Sequence, residues 1–192
     1  MNSRLILLFS IAGAIAQIGT PYASIHIVFL FYNIYTPVGS IIIFFFFSKS
    51  FFLKRGRKIF YFSAIAGFVM ALYFLLFVGI KYRFLSEWVC FNNIIYTTWI
   101  LSLLLDIYED DSAYLNQKMP LFWYLLGMFF FTSCTILIFS FWDYIMIQRI
   151  AKNKYISLIF GVYGLFNIFM YTAFSIGLLL DASDNLKMNK KN

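Results

Sequence analysis

The chain has 192 residues, 62% of them hydrophobic, 23% aromatic and only 12% charged, with a mean hydropathy of +0.83. Soluble domains carry roughly 25% charged residues and lack apolar runs of about 20, so a water-soluble fold is excluded. The net charge of +7 does not describe a nucleic-acid surface either, because Lys and Arg collect at the ends of apolar runs, where they anchor helices and set their orientation.

The first apolar run, Leu5 to Ile18, follows Arg4 and carries Ala12, Gly13, Ala14 and Ala16. Its length and small residues suit a signal peptide as well as a first span, and close helix packing favours the span. Gly19-Thr20-Pro21-Tyr22 then turns the chain, since proline lacks an N–H and disfavours helix in the residue before it. A second span is expected from about Ser24 to Phe47. Pro37 and Gly39 within it predict a kink or an unpaired carbonyl, with Asn33 and Thr36 placed to satisfy it.

Between the second and third spans lies the basic stretch Lys49 to Lys58, which contains Lys54, Arg55, Arg57 and Lys58. Five cations between two apolar runs resist transfer across a bilayer about 30 Å thick, so this turn is expected on the cytoplasmic or equivalent side. The third span, Ile59 to Ile80, holds Ser63 and Gly67 at the spacing that lets helices approach closely. Trp88 follows at its far boundary and reads as an aromatic-belt residue.

Val89 to Leu105 is apolar enough to cross but contains Asn92, Asn93, Thr97, Thr98 and Ser102. It suits either a span or an interfacial amphipathic helix. An acidic cluster from Asp106 to Asp111 and Pro120 separate it from two long runs, Leu121 to Ile147 and Tyr155 to Leu180. The result is an all-α, multi-pass transmembrane helical bundle of about six spans, with four or five as alternatives, over residues 1–180, and a polar and frayed tail over 181–192. With both termini inside, ten of the 15 Lys and Arg lie on the inner side, which favours six spans over five.

Little chemistry is legible. His26 is the only histidine and Cys90 and Cys134 the only cysteines, at depths too different for a disulfide. No metal-ligand spacing, phosphate loop or acid/base pair occurs, so no enzyme, metal or cofactor is expected. Ionisable groups within spans are the usual pointers to function. Asp143, beside Trp142 and a turn and a half before Arg149, is the best of them. Asn33 and Asn167 are the polar residues most in need of a partner in hydrocarbon. Asn167 shares a helical side with Gly164, Tyr163 and Tyr171, while Leu165, Ile168, Phe169 and Met170 are expected to face lipid.

Trp88-Val89-Cys90 resembles the loop of claudin-like tetraspan proteins in those residues alone, without the paired cysteine or Gly-Leu-Trp lead-in. The six-span size is similar to that of substrate-binding subunits of modular vitamin importers, with only Ala12 and Ala16 echoing their first helix. No role is carried over from either. The expected function is that of a non-catalytic integral membrane protein, an accessory, regulatory or structural subunit of a larger assembly such as a transporter, ion pump or respiratory complex. Its partners would be the lipid bilayer and a larger membrane protein, with no nucleic acid. The alternative is a small transporter or channel, hinged at Pro37 and Gly39 and lined by Asn33, Asn167 and Asp143.

Overall fold

A computed structural model describes residues 3–19, 25–50, 54–78, 85–109, 119–142, 144–145 and 155–189. These residues form six α-helices and no strand: α1 (Ser3–Gly19), α2 (Ile25–Ser48), α3 (Lys54–Tyr73), α4 (Ser86–Glu109), α5 (Pro120–Ser140) and α6 (Tyr155–Asn189). The all-α expectation therefore holds. Among the described residues, four stretches are long and apolar enough to cross a membrane: Gly56–Val78, Ser86–Leu105, Pro120–Ser140 and Gly161–Ser183. The apolar stretches of α1 and α2 whose side chains are described, Ser3–Gly13 and Asn33–Ser48, are shorter.

The chain divides into two compact units, Asn2–Asp106 and Ile107–Asn192 with Met1. The boundary falls at Asp106, the first residue of the acidic cluster.

In the first unit, α1 lies along α2. Phe9 meets Tyr35 at a ring-centroid distance of 6.1 Å, and a Cβ on Gly39 would stand 3.4 Å from the Phe9 ring. The α2 helix runs unbroken through Pro37. Lys49 and Ser50 close its end by donating to the carbonyls of Phe46 and Phe47 at 3.3 and 2.9 Å. The basic stretch is not wholly a turn, since Lys54, Arg55, Arg57 and Lys58 lie in the first turns of α3. The helix starts before the apolar run does, and the Arg57 and Lys58 side chains are exposed.

The third span ends differently from a plain helix. After Tyr73 the chain widens into a π-helical segment, Phe74–Val78, a departure that single inserted turns commonly make. Phe74 packs there with Leu85 and Trp88, supported by Met70, Ala71 and Val78. Trp88 is 1% exposed and stacks on Phe74 at 6.1 Å and 14°. The aromatic-belt reading of Trp88 is therefore corrected: the indole closes the core of its own unit. The ambiguous element is one continuous helix, α4, of 24 residues, and two of its polar side chains are engaged by hydroxyls of neighbouring helices, as set out below.

In the second unit, α5 and α6 pack along their lengths. Partners descend α6 as they ascend α5, so the pair is antiparallel: Tyr124 meets Phe174 at 6.0 Å, Phe130 meets Phe169 at 5.2 Å, and Phe139 meets Tyr163 at 6.0 Å. Buried Cys134 and Ile138 pack with Tyr163 and Phe166. Both cysteines are free thiols. The α5 helix stops at Ser140, earlier than the expected Ile147. The Phe141 N–H turns back to the Ile138 and Phe139 carbonyls, where Ser140 and Trp142 bring polarity back into the sequence. Conversely, α6 extends to Asn189 through most of the expected frayed tail, because no Gly or Pro lies between Asp181 and Asn189 to end it.

Candidate functional site

The α4 helix carries Trp88, Asn92, Tyr96 and Trp99 at successive three- and four-residue steps, which places them on one side. All four line a groove of about 620 Å³ formed with α2 and α3, within the range of small-molecule sites. Its other walls are almost wholly apolar, including Pro37, Ile41, Phe44, Phe68, Leu72 and Ile95. Among the described residues no Lys, Arg, His, Asp or Glu lines it.

Two of the four polar groups on this stripe are paired by neighbouring helices. The Tyr96 hydroxyl donates to Ser40 Oγ on α2 at 2.5 Å, and Ser40 donates on to the Thr36 carbonyl at 2.7 Å. The Trp99 indole N–H donates to Ser63 Oγ on α3 at 2.6 Å, and Ser63 donates on to the Ile59 carbonyl at 2.7 Å. Each relay ends on a helix carbonyl, so the partner helices accept a buried donor without losing their own ladder. Ring packing reinforces the second relay: Trp99 sits 4.7 Å from Phe60 and 5.5 Å from Phe47. A Cβ on Gly67 would stand 3.2 Å from Ile95. The Ser63/Gly67 spacing thus faces α4 as a close-approach stripe.

The other two groups differ. The Trp88 indole nitrogen and the Asn92 amide nitrogen are buried without a hydrogen-bond partner, in residues 1% and 6% exposed. An unpaired buried donor costs roughly 1–3 kcal/mol, and both nitrogens are covered by the surrounding protein.

Asn33 lies in the same unit and is 1% exposed. Its Oδ1 accepts from the Leu85 N–H at 3.2 Å. The first N–H groups of a helix have no partner of their own, and Leu85 immediately precedes α4. Asn33 therefore caps α4 from another helix.

Asn167 is buried and its Nδ2 donates to the Tyr163 carbonyl one turn back at 3.2 Å. It faces protein, as its chemistry requires. Leu165, Ile168 and Phe169 are exposed as expected, but Met170 is 2% exposed and lies on the α5 side. There its carbonyl is 3.2 Å from the point where a Gly127 Cβ would sit. Gly164, expected on the packed side, has nothing within 4 Å of an added Cβ. The packed side of α6 is thus rotated toward positions 170, 173, 174 and 177.

Asp143 falls outside the described residues. Asn33 and Asn167 belong to different units, each engaged within its own. Trp88 and Asn92 were not singled out from the sequence as a site. The signal that would have found them is the aromatic and polar stripe at positions 88, 92, 96 and 99, on one side of a helix otherwise read as ambiguous. Among the described residues no group of three or more His, Cys, Asp or Glu side chains is placed to hold a metal. No family model, curated protein or solved structure matches the chain.

Proposed function

We propose that the chain is a multi-pass integral membrane protein that works through contact rather than catalysis, as an accessory or structural subunit of a larger membrane assembly. The observation that carries this reading is α3. With the π-helical segment that follows, it forms the span Gly56–Val78, of mean hydropathy 2.2, yet only 12% of the span's apolar 18-residue window is buried. Phe62 and Val69 lie a heptad apart on α3, Leu76 follows in the π-helical segment, and the three are 80, 57 and 72% exposed; none of them lines the groove. Such a side tolerates lipid and equally offers a continuous surface to a partner helix. The polar side chains also support the reading, since Asn33, Tyr96, Trp99, Ser40 and Ser63 are all engaged in bonds between or along helices. The small-transporter alternative gains no observation that favours it.

Photo-crosslinking in native membranes tests the proposal. A diazirine amino acid at position 62, 69 or 76 is expected to give one discrete protein adduct from at least two of the three positions. The same label at position 95, inside the groove, is expected to give no protein adduct. Lipid adducts alone at all three outward positions would count against a partner on α3.

A further inference from the structure

We propose that the first unit binds anionic glycerophospholipids, with headgroup phosphates at Arg4 and Lys49 and acyl chains along the exposed apolar sides of α1 and α2. This goes beyond the contact function and does not depend on a protein partner.

The fold gathers cations that lie far apart in the sequence. Residues 20–24 join α1 to α2, and Phe9 meets Tyr35 and Gly39. The two helices therefore run antiparallel, and the start of α1 points to the end of α2. Phe44 of α2 stacks on Phe60 of α3 at 5.0 Å and 25°, which brings the start of α3 to the same end. Arg4, Lys49, Arg57 and Lys58 thus share one end of the unit, and all four side chains are exposed. Counting the rise from the level of Phe9, Arg4 stands roughly 10 Å short of Lys49 along the axis. Its side chain leans toward the helix N-terminus and makes up much of that difference. No Asp or Glu precedes Glu87 in the chain. Among the described residues, Arg4, Lys49 and Lys58 are engaged in no ion pair.

The surface beneath the cations selects a lipid as the anion that meets them. One turn into α1 from Arg4 stands Leu8, and Ile11 follows on the same side. One and two turns back along α2 from Lys49 stand Phe45 and Ile41. These four apolar side chains are between 48 and 57% exposed. Each cation therefore heads an exposed apolar stripe, the arrangement of a phosphate above its acyl chain. An acidic protein segment would answer the charges but not the stripes, and so would a free phosphate ion. A zwitterionic headgroup carries its own cation, so unpaired Arg4 and Lys49 favour a headgroup of net negative charge. Membrane orientation requires cations on one side, but not that each stand unpaired at the head of an apolar stripe. Below Lys58 the stripe is that of Phe62, which the protein contact uses, so Arg57 and Lys58 add to the positive field there without a lipid of their own.

The test offers the delipidated full chain, in mild detergent, an equimolar mixture of dioleoyl phosphatidylglycerol and dioleoyl phosphatidylcholine. Native mass spectrometry then counts the lipids bound. Phosphatidylglycerol is expected to be retained about tenfold more, the factor for roughly one to two cations at a membrane surface. Arg4→Gln combined with Lys49→Gln is expected to bring the ratio near one at unchanged Tm of the lipid-free chain, since both side chains are exposed. Lys81→Gln combined with Arg83→Gln removes the same charge from the α3–α4 connection and is expected to leave the preference intact. Leu8→Ser combined with Phe45→Ser keeps the cations and is expected to lower phosphatidylglycerol retention severalfold. Equal retention of the two lipids by the native chain would overturn the proposal. So would an unchanged ratio in the Arg4 and Lys49 variant, or full retention in the Leu8 and Phe45 variant. An equal fall in the Lys81 and Arg83 variant would overturn it in favour of net charge alone. Displacement of phosphatidylglycerol by about a hundredfold excess of inorganic phosphate, or by an equimolar poly-glutamate peptide, would overturn it in favour of a free anion or an acidic protein segment.

Discussion

Gly177→Ala is expected to destabilise the α5–α6 pair by about 1–3 kcal/mol, the usual cost of overpacking, whereas Gly164→Ala on the same helix is expected to change stability by less than about 0.5 kcal/mol. A Cβ on Gly177 would fall 2.5 Å from one carbon of the Tyr124 ring and 2.9 Å from two others. Tyr124 is fully buried and its ring packs on Phe174, so it cannot swing aside. The clash must be relieved by separating the helices. Gly164 has no atom within 4 Å of an added Cβ. In a bilayer both helices stay helical when they part, so the helix-propensity gain of alanine largely cancels and packing decides the difference. Thermal unfolding in detergent reads it out: a Tm lower by several degrees for Gly177→Ala, and an unchanged Tm for Gly164→Ala. Equal Tm values for the two variants would mean that α5 and α6 do not meet at Tyr124.

The second large effect is on orientation. Replacing Lys54, Arg55, Arg57 and Lys58 by Gln is expected to convert a single topology into a mixture, with tags on the α2–α3 connection accessible from both sides. Each cation held on the inner side of a 100 mV potential is worth about 2.3 kcal/mol, and the α2–α3 connection retains only Lys49 after the change. These cations occupy the first turns of α3, where they oppose the positive end of the helix dipole. Their position is therefore costly to the isolated helix and is favoured by anionic headgroups and the membrane potential. Epitope tags with selective permeabilisation check it, and unchanged sidedness would show that a later segment sets the orientation.

Much of the fold was legible because hydropathy and length alone specify a membrane helix. The runs behind α3, α4, α5 and α6 were found with ends correct to within a few residues on at least one side, and Ser63 and Gly67 were found from their spacing. What composition does not encode is facing. Trp88 stands at a span boundary, where an indole suits headgroups and a packed core equally, and only the contact with Phe74 and Leu85 decides for the core. Met170 was placed toward lipid because an apolar residue is at home on either side of a helix. The groove was illegible for the same reason. Whether a donor such as Asn92 is satisfied depends on hydroxyls from two other helices, and Ser40 and Ser63 happen to reach Tyr96 and Trp99 instead. Asn33 and Asn167 were singled out as polar groups that hydrocarbon leaves without a partner, and both are buried.

The most direct test of the central claim, that the chain serves a larger membrane assembly, is its mass when drawn gently from its native membrane. Affinity capture of the 22.6 kDa chain in mild detergent or native nanodiscs, followed by native mass spectrometry, is expected to give a complex containing at least one other membrane protein in fixed ratio. Phe62→Glu on the outward side of α3 is expected to dissociate that complex. Recovery of the chain alone from native membranes, with lipid and no second protein, would contradict the account.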